Sequence, residues 1–394
     1  MNWTLGIYEE LGIRPIINCC GTWTIYGGAV MPEEARRAMY EAAKHFVIID
    51  ELHHKANEII ASITGAEAGL ITAGADAGLA IATAACLLRK SEVAQQVKRH
   101  GQYVLETMRD TIQQLPDTTG FLDEVIIQRC HRNVHNHSYR ISGAQLIEVG
   151  KPRSSQTEPF TTPQELEDAI NEHTAAIAYV VRMEPGGLQL PEVIAIGHRY
   201  DVPIIVDAAA ELPPRANLRY YSDLGADLVA FSGGKGIRGP NNAGILAGNR
   251  ELIELAAIQY YPHMGVGRPM KVGRESMVGM LVALQLYASQ RDEDDLSQWN
   301  NKAQYMVQQL QDIPHIEVQH TIGNGIQDNI PYCKVILDET MIGLTASELR
   351  QQLLDGDPRI MTIYHENVLI LNMRNLMGDE HTQIVTRLRE ILTR

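Results

Sequence analysis

Short apolar runs separated by glycine-rich turns and amphipathic segments fill the middle of the chain. Between Ala68 and Ala247 the order strand, glycine-rich turn, helix repeats. Glu124–Ile127, Ile177–Val181, Pro203–Val206 and Leu228–Phe231 read as buried parallel strands, because apolar residues occupy consecutive positions instead of alternating ones. Helical segments lie between them. One begins at Thr162-Pro163-Gln164-Glu165, which joins an N-cap, a proline at the first helical position and a capping glutamate. This alternation predicts an α/β fold: a mostly parallel open sheet covered by helices on both faces.

The flanks follow other patterns. Amphipathic helices are expected from Pro32 to about Phe46 and from Glu51 to Ile63. After about Leu252, connector helices (Glu275–Arg291 and Leu296–Leu310) lead to a smaller α+β unit. Its expected strands are Tyr332–Leu337 and Val368–Asn372. Its expected helices are Ala346–Leu354, capped by Thr345 and Glu348, and Glu380–Leu392. The expected division is an N-terminal segment (1–60), a large ligand-binding domain (61–260), and the connector helices with a small C-terminal domain (261–394). The N-terminal segment can join the small domain.

With 394 residues, two domains are the default expectation. A net charge of −14 and a pI near 5.5 disfavour a nucleic-acid surface. The five cysteines (Cys19, Cys20, Cys86, Cys130 and Cys333) show no C-x-x-C spacing. No signal peptide is evident, and the apolar stretch Ala77–Leu88 is too short to cross a bilayer. A reduced cytoplasmic enzyme, with neither membrane nor nucleic acid as partner, is the expectation.

Ligands of open α/β sheets sit beyond the carboxyl ends of the strands. Three such ends carry chemistry here. Leu70-Ile71 runs into Thr72-Ala73-Gly74-Ala75-Asp76 and an apolar helix. Small residues there let the backbone approach an anion, and the free N–H groups of the helix start suit a phosphate. Gly74 and Ala75 serve tight helix–sheet packing equally well. The second end is Asp207, closing the run Pro203–Val206. A carboxylate on a buried strand is costly unless paired, and a protonated pyridine nitrogen would pair it, as would a helix N-cap or a metal. The third is Lys235, in Ser232-Gly233-Gly234-Lys235-Gly236 just past the fourth run. A lysine in such a sheltered turn loses its proton readily and attacks aldehydes, whereas a solvated one does not. Ser232 stands three residues earlier and can donate to a phosphate.

Val206–Pro214, Phe231–Pro240 and the segment Gly267-Arg268-Pro269-Met270-Lys271-Val272-Gly273-Arg274-Glu275 together resemble fold-type-I pyridoxal-phosphate enzymes. The branch is similar to the selenocysteine synthase-like group that includes D-glucosaminate-6-phosphate ammonia-lyase. The resemblance spans about Gly12 to the C-terminus. It implies pyridoxal 5′-phosphate as cofactor and Lys235 as its Schiff-base and proton-transfer lysine. It further implies Asp207 at the ring nitrogen and Gly74, Ala75 and Ser232 at the phosphate. By position it also implies His131 as the residue stacked on the ring.

His135 and His137 share that loop and read as surface histidines, with no carboxylate or cysteine arrangement to complete a metal site. Arg374, after the last expected strand, is the candidate clamp for a substrate carboxylate, although a proline is expected near Met373. Arg268 and Lys271 are rivals, placed near a subunit interface of an expected homodimer or larger even assembly. The function these features imply begins with removal of the α-proton from an amino acid or amino sugar acid. Loss of a β-substituent and then of ammonia follows. A racemase or epimerase, then a retro-aldol lyase, are the alternatives. A selenium transferase acting on charged tRNA fits the acidic charge less well.

Overall fold

The computed structural model describes residues 6–100, 104–154, 159–183, 186–323 and 330–393. The chain divides into a large unit, Met31–Ser289, and a smaller one made of Met1–Val30 and Gln290–Arg394.

The large unit is built on seven strands: β1 (Ala68–Thr72), β2 (Glu124–Gln128), β3 (Gln145–Val149), β4 (Thr174–Val180), β5 (Ile204–Asp207), β6 (Leu228–Ser232) and β7 (Gly244–Gly248). Their order across the sheet is β1-β7-β6-β5-β4-β2-β3. Only β7 runs against its neighbours β1 and β6, so the sheet is mostly parallel and flanked by helices, as the sequence pattern predicts. Every residue of β4 and β5 is buried, which accounts for their unbroken apolar runs.

The helix Ala75–Leu88 is buried along its length except at Asp76 in its first turn. A helix apolar all round belongs inside the core. Its alanines and Gly78 allow close packing, with the Gly78 Cβ direction 3.5 Å from the Ala230 side chain.

Two strands of this sheet escape the sequence pattern. Gln145–Val149 is an edge strand with polar residues. Gly244–Gly248 starts and ends on glycine because neighbouring backbone leaves no room: a Cβ on Gly248 would lie 2.0 Å from the Asp227 carbonyl oxygen. Those glycines hide the strand from a propensity reading.

The unit boundary also differs from the expected 260/261. The helix Arg274–Ser289 stays with the large unit because Met277, Met280 and Leu284 are buried in its core, and Gly279 lies against Met39 of the helix Glu33–Ala42. The capping box at Thr162 and Glu165 forms as expected, with the Thr162 N–H donating to the Glu165 carboxylate at 2.8 Å.

The smaller unit contains four antiparallel strands, β8 (Ile316–Ile322), β9 (Pro331–Leu337), β10 (Ile363–His365) and β11 (Val368–Asn372), in the order β10-β11-β9-β8. Burial alternates strictly along β9, so one face meets a core of Leu349, Leu353, Ile384 and Leu388. The N-terminal segment joins this unit through a parallel pairing of Ile17–Asn18 with Ile360–Met361. A turn at Gly21–Gly28 is tied to it as well. The Asn375 side chain donates to the Gly21 and Gly28 carbonyls at 2.7 and 3.1 Å.

Candidate active site

Three strand ends of the large unit come together as a consequence of the strand order. β5 and β6 are neighbours, with Asp207 opposite Ala230, and β4 flanks β5, with Val180 opposite Asp207. The turn that carries Lys235 follows β6, and β7 runs back beside it toward β1 and the helix start at Gly74.

Gly74 has φ 91° and is the N-cap of the helix Ala75–Leu88, with no side chain capping it. Glycine is required for that conformation. The first N–H groups of a helix have no intrahelical partner, and here they open at the carboxyl end of the sheet beside the positive end of the helix dipole. The cradle is shaped by Gly244, where a Cβ would lie 2.8 Å from the Gly74 carbonyl carbon and 3.0 Å from the Ala75 nitrogen. A phosphate group fits such a cradle. Ser232 ends β6 opposite Gly244, half-buried and within the same corner of the sheet.

Lys235 sits in a turn pinned by backbone bonds from Gly233 N–H to the Ala243 carbonyl (2.9 Å) and from Gly239 N–H to the Gly233 carbonyl (2.8 Å). A Cβ on Gly233 or Gly234 would strike Ala243, Met280 or Asn241 at 2.5–2.6 Å, so the turn is compact because its residues are glycines. Burial holds the Lys235 amine below the usual lysine range; Asp207 opposes this shift and Arg182 adds to it. A neutral amine is the form that attacks an aldehyde.

Asp207 is buried. Burial pushes its carboxyl up, while the Ala209 N–H, Lys235 and His135 pull it down. The Ala209 N–H donates to Oδ1 at 3.0 Å, fixing the carboxylate at the strand end. A buried carboxylate facing a cationic ring nitrogen satisfies both groups.

The histidine loop divides into an inner and an outer part. His131 is fully enclosed. Its ring stands edge-on to Tyr179 at 4.7 Å between centroids, and its Nδ1 accepts from the Val180 N–H at 3.2 Å. Burial pushes its pKa down to about 3, with Arg153 adding to the shift. His131 therefore braces β4 and has no open face for a ring to stack on. His135 is exposed, and its Nδ1 lies 3.0 Å from the Asp76 carboxylate, which also accepts from the Ser138 hydroxyl at 2.8 Å. The Asn133–Asn136 capping box holds this loop in place. His137 is exposed.

Substitution separates the two histidines. His131→Ala leaves a hole beside Tyr179 and an unpaired Val180 N–H, so unfolding free energy should fall by roughly 2–4 kcal/mol. His135→Ala should leave stability within about 0.5 kcal/mol. Denaturant titration of both variants reads the difference, and equal losses would refute it.

Arg268 and Lys271 lie over the Tyr261 ring, at 5.4 and 5.6 Å from its centroid. Arg374 belongs to the smaller unit, where its backbone N–H donates to the Asn372 side chain at 2.9 Å. Two residues given no role in the sequence stand at this edge: Asp76, which closes the Gly74 turn motif, and Arg182. Asp76 is masked as a helix first-turn acid, and Arg182 follows a strand whose apolar run draws attention only to its interior. Among the described residues, no group of three His, Cys, Asp or Glu is placed to hold a metal ion, and no helix is long and apolar enough to cross a membrane.

A half-buried lysine of lowered pKa, a buried strand-end aspartate and an uncapped helix start are the features a pyridoxal-phosphate site needs. Residues 123–329 match the class-V aminotransferase family. The chain belongs to that family and is a pyridoxal-phosphate-dependent enzyme of fold type I.

Its relatives sharpen the placement. It is 32% identical to the D-glucosaminate-6-phosphate ammonia lyase of Salmonella typhimurium, over 98% of both chains. It is 30% identical to a Streptomyces 5′-C-glycyluridine monooxygenase-decarboxylase, over 98% of this chain and 92% of that one. A solved structure of D-glucosaminate-6-phosphate ammonia-lyase superposes with a TM-score of 0.83 at 30% identity, covering 99% of each chain.

Proposed function

We propose that the chain is an ammonia lyase acting on an amino sugar acid, and that Lys235, Asp207 and His135 carry the chemistry. The observation that carries the reaction class is the full-length similarity to D-glucosaminate-6-phosphate ammonia lyase. When bound, pyridoxal phosphate supplies an aldehyde that joins amines and a ring that accepts an electron pair. The Gly74–Ala75 helix start, with Ser232, holds its phosphate. Asp207 keeps the ring nitrogen protonated. His135, standing on Asp76 and close enough for its charge to act on Asp207, covers the ring face in place of the enclosed His131.

Lys235 would remove the proton from the carbon bearing the substrate amine. The neighbouring C–O bond then breaks, and its oxygen leaves as water after taking a proton. Tautomerisation and addition of water release ammonia and leave a 2-oxo-3-deoxy acid. Arg374, Arg268 and Lys271 are the candidate anchors for the substrate's acidic groups. A homodimer or larger even assembly is part of this reading.

The test is product analysis with D-glucosaminate 6-phosphate. The lyase gives equal amounts of ammonia and 2-oxo acid without added acceptor or oxygen uptake. Deuterium at the α-carbon of both stereoisomers without ammonia would replace the lyase by a racemase. An aldehyde product would replace it by a retro-aldol lyase. Oxygen uptake with carbon dioxide release would favour the chemistry named for the Streptomyces relative.

A further inference from the structure

We propose that Asp76 is a positioning residue that aims His135, and that His135 is the acid that protonates the oxygen leaving the substrate. This rests on the lyase reading, which needs a proton at that oxygen and a group to give it.

Asp76 directly follows Ala75, whose nitrogen lies at the cradle beside Gly244. The phosphate site does not account for an acid there. A carboxylate and a phosphate at one helix start repel each other, so the acid works against anion binding. Stability does not account for it either. An exposed ion pair contributes little, and both side chains of the His135–Asp76 pair are open to solvent.

The pair is nevertheless held from several sides. His135 Nδ1 lies 3.0 and 3.2 Å from the two Asp76 carboxylate oxygens. The buried Ser138 hydroxyl donates to Asp76 Oδ1 at 2.8 Å, which fixes the carboxylate. The Ser142 hydroxyl donates to the Ala80 carbonyl at 2.6 Å and ties the helix His137–Ile141 to the helix that carries Asp76. On the other side, the His135 N–H donates to the Asn133 side chain at 2.7 Å. That side chain donates in turn to the carbonyl of the enclosed His131 at 3.2 Å. The histidine segment is therefore anchored at both ends, and its outer ring is held at one nitrogen.

A carboxylate only accepts, so Nδ1 carries a proton. A second proton on the ring then sits on Nε2, which has no hydrogen-bond partner among the described residues. The charges of His135 and Asp76 both act on Asp207, and that of Asp76 acts on Lys235, so the pair borders the reacting groups. In the elimination Lys235 takes the α-proton, and the electrons of that C–H bond form the new C–C π bond. The C–O electrons go to oxygen, which takes the Nε2 proton and leaves as water. The exposed ring regains its proton from solvent.

The test separates orientation from chemistry. Nitrogen-15 NMR of the apo-protein reads the tautomer of neutral His135. The proton should sit on Nδ1 in the wild type and move to Nε2 in Asp76→Ala; an unchanged tautomer would remove Asp76 from the proposal. Turnover is then compared on D-glucosaminate 6-phosphate and on its analogue with chlorine in place of the C3 hydroxyl, because chloride leaves without a proton. On the hydroxyl substrate His135→Gln should lower kcat about 10²-fold, and Asp76→Ala about tenfold or more. On the chloro analogue both variants should stay within about threefold of the wild type. Asp76→Asn, whose amide oxygen can still accept from Nδ1–H, should recover part of the loss. Equal losses on both substrates, or full activity of His135→Gln on the hydroxyl substrate, overturn the acid role. A wild type that releases ammonia from neither compound sinks the lyase reading and the acid role together, and the tautomer alone then decides whether Asp76 orients His135.

Discussion

Lys235→Ala should lower turnover by on the order of 10³-fold or more, because it removes the group that moves the α-proton. The fold should survive. The turn is held by the Gly233 and Gly239 backbone bonds and not by the lysine side chain. The variant should still bind the cofactor through the helix start at Gly74 and through Asp207. An added small amine such as methylamine should restore part of the proton transfer, which a merely misfolded site would not allow. The depressed pKa has its own signature. The fraction of neutral Lys235 rises with pH through a titration lying below the usual lysine range, so apo-protein should react with pyridoxal phosphate at lower pH than exposed lysines do. Full activity in Lys235→Ala would remove the residue from the reaction.

Asp207→Asn should slow turnover by roughly 10²–10⁴-fold. Removing one partner of a buried ion pair costs about 3–5 kcal/mol, and each 1.36 kcal/mol is a factor of ten. An amide can still accept the Ala209 N–H bond that the carboxylate holds at 3.0 Å, so the backbone at the end of β5 keeps its course. What the amide cannot do is stabilise a proton on the ring nitrogen, and an unprotonated ring is a weak acceptor of the electron pair. The substitution should therefore alter the absorption of the bound cofactor and depress kcat while Tm changes little. Near-normal kcat with normal cofactor absorption would assign Asp207 to a structural role only.

Residues whose chemistry conflicts with their surroundings were legible in the sequence. Asp207 on an apolar run and Lys235 in a glycine turn declare themselves because each is costly where it stands unless it has a task. The expected helix N-terminus at Gly74 is present for the same reason: only glycine adopts φ 91° without strain. Position in the sequence sets His131 apart from the surface histidines His135 and His137, but not what encloses it. His131 and His135 lie four residues apart in one polar stretch, and which of them turns inward depends on Tyr179 and the Val180 N–H of a strand about fifty residues away. In the same way, Gly244–Gly248 is not marked as a strand by its own residues; the neighbouring backbone at Asp227 and Phe231 shows why glycines stand there. Long-range packing therefore decided the elements that local pattern missed. The unit boundary moved for the same cause, since Gly279 against Met39 is a contact between segments some 240 residues apart.

The central claim is that Lys235 is the lysine that joins the cofactor. Reduction of the holoenzyme with borohydride, followed by proteolysis and mass mapping, tests it most directly. The account predicts one reduced pyridoxyl group on the peptide containing Phe231-Ser232-Gly233-Gly234-Lys235. A stoichiometric label on any other lysine, with Lys235 unmodified, would contradict it.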